Sequence, residues 1–213
     1  MNKLVMLVSI LRRNLSETAV SFLNENGISV TLGRYGRGTA TKEIFKMFMP
    51  DREKCVLFSI MPYKISKRIM QDLLDVCEHA GVAFTLPITS VGGENVYKYL
   101  EGKNKVEEES NMEVKIENEL IIAVTNRGYT DNVMSVAREA GARGGTVIHA
   151  RGTGDEAAEK FFGETVGAER EMIFIVVSKE DKKNVMNAIM EKVGINSDAQ
   201  TFVFTLPVID VAK

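Results

Sequence analysis

The 213 residues suffice for one large domain or two small ones, and an apolar share of 45% beside 26% charged residues is the balance of a soluble globular chain, which excludes disorder as the main state. A formal net charge of −2 without a dense Lys/Arg stripe leaves nothing to neutralise a run of phosphates, so nucleic acid is not expected as a partner. No apolar run approaches the roughly 20 residues of a membrane span, and the run Leu4 to Ile10 lacks a small-residue cleavage site, so the expected location is the cytoplasm.

In chain order, Leu4 to Ile10 reads as a strand. Ser16 is placed as an N-cap with Glu17 in the first turn of a helix that carries Ala19, Val20, Phe22 and Leu23 at helical spacing and stops at Gly27. Ile28 to Leu32 is a β-branched strand, and the glycines of Gly33 to Gly38 are expected in a loop rather than a strand interior. Lys54 to Met61 gives a third strand, Ile65 to Glu78 a second helix, and Val82 to Ile88 a fourth strand. From Glu94 to Asn118 the composition turns to Lys, Glu, Asn and Ser; this reads as a linker, with one short amphipathic helix around Val96, Tyr99 and Leu100 and a solvated acidic run at Glu107 to Glu109.

The same order then returns. Strands are expected at Leu120 to Thr125, Thr146 to Ala150, Glu171 to Ser178 and Thr201 to Ile209, with helices at Thr130 to Ala140 and Lys182 to Lys192. Leu4 and Leu120, Gly36 and Gly152, and Phe58 and Phe174 all lie 116 positions apart, whereas Phe84 and Phe204 lie 120 apart. The second copy therefore carries four extra residues before its last strand. The expected organisation is residues 1–93 as a first, degenerate domain, 94–117 as linker and 118–213 as a second domain. The order βαββαβ implies an α+β fold of two tandem ferredoxin-like domains, each a four-stranded antiparallel sheet with two helices on one face. The open face of each sheet then needs a partner.

Chemistry-bearing residues are sparse. Cys55 and Cys77, the two cysteines, read as buried, reduced packing groups, and His149 as a packed or interface imidazole with no ligand at metal spacing. His79 suits a helix C-terminus, and the eleven methionines suit adaptable packing. No nucleophile motif or carboxylate pair is visible, so no enzyme activity is expected. Gly-x-Gly at the strand end, Gly36 to Gly38 and again Gly152 to Gly154, can let backbone N–H groups approach an anion.

The second copy reads Gly144 to Gly154, then Phe161-Phe162-Gly163, Ile173 to Val177 and Phe202 to Val208, and in that order it resembles the PII nitrogen-regulatory signalling proteins. The resemblance implies a trimeric signal-transduction regulator of PII type that holds an adenine nucleotide (ATP, ADP or AMP) or another small anionic effector between domains and docks a protruding loop on an enzyme or transporter. Carried over, the effector residues are Thr146 for the adenine edge, Arg151, Gly152, Thr153 and Gly154 at the loop hinge, and Asp198 and Gln200 in the loop before the last strand. Arg37 and Gly38 are the first copy's remaining anion contacts. The chain departs from the family where Asp155 and Glu156 stand in place of Arg and Gln, and where Ser197-Asp198-Ala199-Gln200 replaces Gly-Asp-Gly-Lys, which weakens the grip on phosphates. Val30 stands where the second copy has Thr146, and neither loop carries the family's modifiable tyrosine. Asp155 to Phe162 and Thr41 to Phe48 have helix-forming composition, with Phe45, Phe48, Phe161 and Phe162 as anchors. A CutA-like metal-tolerance trimer, or a scaffold without ligand, is the alternative reading.

Overall fold

The computed structural model describes residues 4–28, 30–39, 53–91, 94–101, 116–151 and 169–212. The two expected loop helices, the Gly152 to Gly154 hinge and the acidic run of the linker lie outside them. Strand β1 (Leu4–Arg12) leads through a 3-10 turn (Arg13–Leu15) into helix α1 (Ser16–Glu25). Strands β2 (Val30–Gly38) and β3 (Glu53–Pro62), helix α2 (Tyr63–Val76), strand β4 (Gly81–Pro87) and helix α3 (Glu94–Glu101) follow. The second half runs β5 (Asn118–Asn126), α4 (Thr130–Glu139), β6 (Thr146–Arg151), β7 (Glu169–Ser178), α5 (Lys182–Val193), β8 (Phe202–Val208) and a two-residue β9 (Val211–Ala212). The fold is thus mixed α/β on antiparallel sheet. Among the described residues no helix is long and apolar enough to cross a membrane.

The chain divides into two compact units, residues 1–35, 53–118 and 207–213 in one and residues 36–52 and 119–206 in the other. In the first, the strand order is β2-β3-β1-β4-β9. β1 is central, antiparallel to β3 with Val8 opposite Phe58 and to β4 with Val8 opposite Phe84. Its core joins Leu7 and Leu11 to Leu23 of α1 and to Ile69 and Leu73 of α2, all fully buried. Cys55 and Cys77 are free and buried in it, and burial pushes both thiols above their ordinary pKa.

In the second unit the order is β8-β5-β7-β6. Ile121, Ile173 and Ile175 of the sheet pack on Val133 and Ala137 of α4 and on Val185 and Ile189 of α5. Each fully buried aliphatic side chain of this kind is worth about 1.5–3 kcal/mol. Val133 and Ala137, like Val185 and Ile189, stand four apart, so each pair shares one helix face.

Two local expectations are corrected. Ser16 is the first helical residue rather than the cap: Leu15 takes the cap position without a side-chain hydrogen bond, because the 3-10 turn already delivers the chain to the helix. The glycines of Gly33 to Gly38 lie inside β2 rather than in a loop. A Cβ at Gly36 would stand 2.6 Å from the carbonyl oxygen of Val147, so glycine here marks a close approach of two backbones within a ladder in which Arg37 faces Val147 and Gly38 faces Thr146.

Candidate functional site

The second unit holds the predicted effector residues in two groups at opposite ends of β6. At its start, Thr146 is paired with Gly38 and flanked by the Arg37–Val147 pair. Thr146 is only 6% exposed. Thr39, the residue after Gly38, clasps Gly145: its N–H donates to the Gly145 carbonyl at 2.9 Å, and its hydroxyl both donates to that carbonyl and accepts from the Gly145 N–H, each at 2.8 Å. Arg138 of α4 donates to the Thr39 carbonyl. Thr39 and Arg138, unforeseen in the sequence, lock this end.

The other end of β6 is Arg151, whose backbone faces Glu169 across the ladder. Successive residues of a strand rise about 3.3 Å each, so the backbones of Thr146 and Arg151 stand some 17 Å apart along β6.

Asp198 and Gln200 meet at the end of β5, and the hub is Asn126. Its amide Nδ2 donates to the Asp198 carbonyl at 3.1 Å and to Gln200 Oε1 at 3.3 Å, its Oδ1 accepts from Arg170, and its backbone N–H donates to the Ala199 carbonyl at 3.0 Å. Beneath it, the Thr125 hydroxyl donates to the same Ala199 carbonyl at 2.9 Å and accepts from the Thr201 hydroxyl at 3.0 Å.

The loop from Gly194 to Thr201 closes on itself. Ser197 donates both its N–H and its hydroxyl to the Gly194 carbonyl, and the Gln200 N–H donates to the Ser197 carbonyl. A Cβ at Gly194 would stand 2.1 Å from the Met190 carbonyl, so only glycine fits there. Gln200 has φ +43, a left-handed backbone unfavourable for a side chain with a Cβ. The result is a short rigid loop that presents the Gln200 amide beside Asn126 and Arg170.

Charge at this end comes from residues the sequence did not single out. Arg127, immediately after β5, pairs with Glu169, which holds its guanidinium charge above the ordinary range mainly through their hydrogen bond. Glu171 is 3% exposed, and its Oε2 accepts from the Gly128 N–H at 3.2 Å and from the Thr130 hydroxyl at 2.6 Å, so it caps α4 from outside. Of the two expectations for His149, packed or at an interface, packing within the chain does not hold: its side chain is 58% exposed and its Nδ1 lies 3.5 Å from Glu171. The Asn126-Arg127-Gly128 turn at a strand end was a local signal for this group; the Arg170 partnership, 44 residues away, left none. Among the described residues no three His, Cys, Asp or Glu gather as for a metal.

Residues 118–213 match the family described as nitrogen regulatory protein P-II. No curated protein matches the chain. Among solved structures, Arabidopsis thaliana PII bound to citrate is similar at 21% identity over 46% of this chain and 89% of that one, with a TM-score of 0.35. The B. subtilis GlnK–ATP complex is similar at 22% identity over 42% and 83%, with a TM-score of 0.32. A microcompartments protein from Desulfitobacterium hafniense spans 97% of this chain and 96% of its own at 9% identity, with a TM-score of 0.28.

Proposed function

Taking residues 118–213 as a P-II domain, we propose that the chain is a non-enzymatic, cytoplasmic signal-transduction regulator made of two tandem ferredoxin-like copies of that domain. The strand orders support the duplication: β4-β1-β3-β2 in one unit and β8-β5-β7-β6 in the other place each last strand beside the first and the third strand between first and second. The family match carries the functional reading, and it falls on the unit with the self-closed Gly194–Thr201 loop.

A small anionic effector, foremost an adenine nucleotide, would bind where β6 ends. Arg151 would meet its negative charge, Gly152, Thr153 and Gly154 would offer backbone N–H groups, and Gln200 and Asp198 would give polar contacts from the rigid loop. Thr146, Arg37 and Gly38 lie at the far end of β6 and would serve a cleft completed by a neighbouring copy in a trimer. Because Asp155 and Glu156 adjoin the hinge, phosphate affinity would be modest. Bound effector would favour one arrangement of the segment after β6 by differential affinity, and that arrangement would dock on a target enzyme or transporter.

Isothermal titration calorimetry of the full chain with ATP, ADP, AMP and cyclic nucleotides tests this. Saturable binding is expected, weakened roughly 10- to 100-fold by Arg151→Ala through loss of a charged hydrogen bond, and also weakened by Gln200→Ala and Thr146→Val. Absence of heat with every nucleotide would sink the nucleotide reading.

A further inference from the structure

We infer that the first unit binds a small monocarboxylic acid with an uncharged body, in a cleft between the start of α1 and strands β2 and β3, where the second unit carries a carboxylate of its own. The cleft has a volume of about 510 Å³, within the range of small-molecule sites. Ser16 and Val20 of α1, Gly33 and Tyr35 of β2, and Cys55 and Leu57 of β3 line it.

The second unit shows the same place filled. Glu171 is buried there: its Oε2 accepts from the Thr130 hydroxyl at 2.6 Å and from the Gly128 N–H at 3.2 Å at the start of α4, and His149 reaches its other oxygen at 3.5 Å. Arg127, whose charge is held mainly by its hydrogen bond to Glu169, is attracted by Glu171 as well.

The first unit keeps this frame and lacks its contents. Ser16 opens α1 as Thr130 opens α4, so a hydroxyl stands at both helix starts. Among the described residues the Ser16 hydroxyl has no hydrogen-bond partner. Arg13 and Arg127 each stand three residues before their helix, and Arg13 bonds Glu53 at 2.7 Å as Arg127 bonds Glu169. At the 116-residue spacing, however, Cys55 stands in place of Glu171 and Gly33 in place of His149. The acid and the imidazole are missing, and the cleft opens against the two small residues that replace them.

A free carboxylate on Ser16 would accept from its hydroxyl at the positive end of α1, with the Arg13 guanidinium one turn away. Its body would lie over Gly33, between Leu57 and the Tyr35 ring, which Arg13 holds at 4.4 Å from its centroid. Burial pushes the Cys55 thiol up and keeps it protonated, so no charge on the cleft floor opposes an anion. Glu17 also lines the cleft, in the first turn of α1; α4 has Asp131 at the same place and seats Glu171 nonetheless.

This binding does not depend on nucleotide, so the two readings fail separately. Calorimetry of the full chain with phenylacetate and hexanoate, beside phenylacetamide and hexanamide, tests it. Saturable binding of the acids is expected, with each amide weaker by roughly 10- to 100-fold, the loss expected for one charged hydrogen bond. Ser16→Ala should weaken the acids by roughly 10-fold. Cys55→Glu restores the second unit's own acid and should abolish binding. Where that buried change prevents folding, Gly33→His serves instead: a Cβ at Gly33 meets only the Leu57 side chain, at 3.3 Å, so the imidazole should fill the cleft with circular dichroism unchanged. Absence of binding by both acids, equal affinity for acid and amide, or wild-type affinity in both Ser16→Ala and Gly33→His overturns the assignment.

Discussion

The two units differ in the connection before their last long strand. In the first, residues 77–80 join α2 to β4; in the second, residues 194–201 join α5 to β8, and these include the Ala199 carbonyl that accepts from Thr125. At the 116-residue spacing Thr125 corresponds to Ser9. The Ser9 hydroxyl is fully buried on β1 and has no hydrogen-bond partner. The shorter connection supplies no acceptor for that hydroxyl. The short connection also bends harder, with Glu78 at φ 54 and His79 at φ 51. The buried hydroxyl of Ser9 therefore marks the unit whose connection is short, and the bonded hydroxyl of Thr125 the unit whose connection is long.

The largest effects should be common to both units, which sharpens the contrast by setting its baseline. Leu73→Ala in the first core and Ile189→Ala in the second each remove a fully buried side chain and should cost about 2–5 kcal/mol in urea titrations. A cost near zero for one of them would mean that its unit lacks a specific core.

The polar pair should behave asymmetrically. Thr125→Val strands the Thr201 hydroxyl and takes one of two donors from the Ala199 carbonyl, which keeps the Asn126 N–H, and should cost about 1–3 kcal/mol. Ser9→Ala deletes a hydroxyl that has no partner and should be neutral or stabilise by up to about 1 kcal/mol. Equal costs in the two titrations would break the comparison.

The smallest effect separates the units by pH. Both cysteines belong to the first unit, and burial raises both thiols. Below the unfolded thiol value of about 8.5 both states keep the proton; above it the unfolded chain loses the proton first, so the folded state binds more protons and stability falls as pH rises. The loss should be at most about 1.4 kcal/mol per thiol for each pH unit above that value. Urea midpoints at neutral and alkaline pH should show it, and a Cys55→Ala, Cys77→Ala double variant should flatten it; an unchanged slope would place the alkaline sensitivity elsewhere.

Much of this was legible in the sequence because local periodicity and the repeat act over short windows. The helix at Thr130 was expected and begins there, and the four extra residues before the last strand follow from two spacings. What escaped were contacts between residues distant in sequence. Gly36 reads as a loop residue until the Val147 carbonyl stands beside it, and Asn126 is an ordinary turn residue until Asp198, Gln200 and Arg170 gather on it. Ser16 looked like a cap because nothing local announces the 3-10 turn before it. Of the candidate site, Asp198 and Gln200 were named from the sequence but not the Asn126 they meet, whereas the backbone separation of Thr146 from Arg151 follows from strand rise alone and could have been read in advance.

The short ladder of Arg37 and Gly38 on β6 has a practical corollary. These residues lie more than a hundred positions before the strand they complete, so a fragment cut at residue 118 would lose them and leave the outer rim of β6 with unsatisfied N–H and C=O groups. Such a rim templates association between molecules. Trimming the last residues would similarly strip Val211 from Phe84 and uncover β4. Each repeat borrows a few residues from the far side of the chain to finish its sheet, so the sequence boundary between the copies is the wrong place to cut them apart.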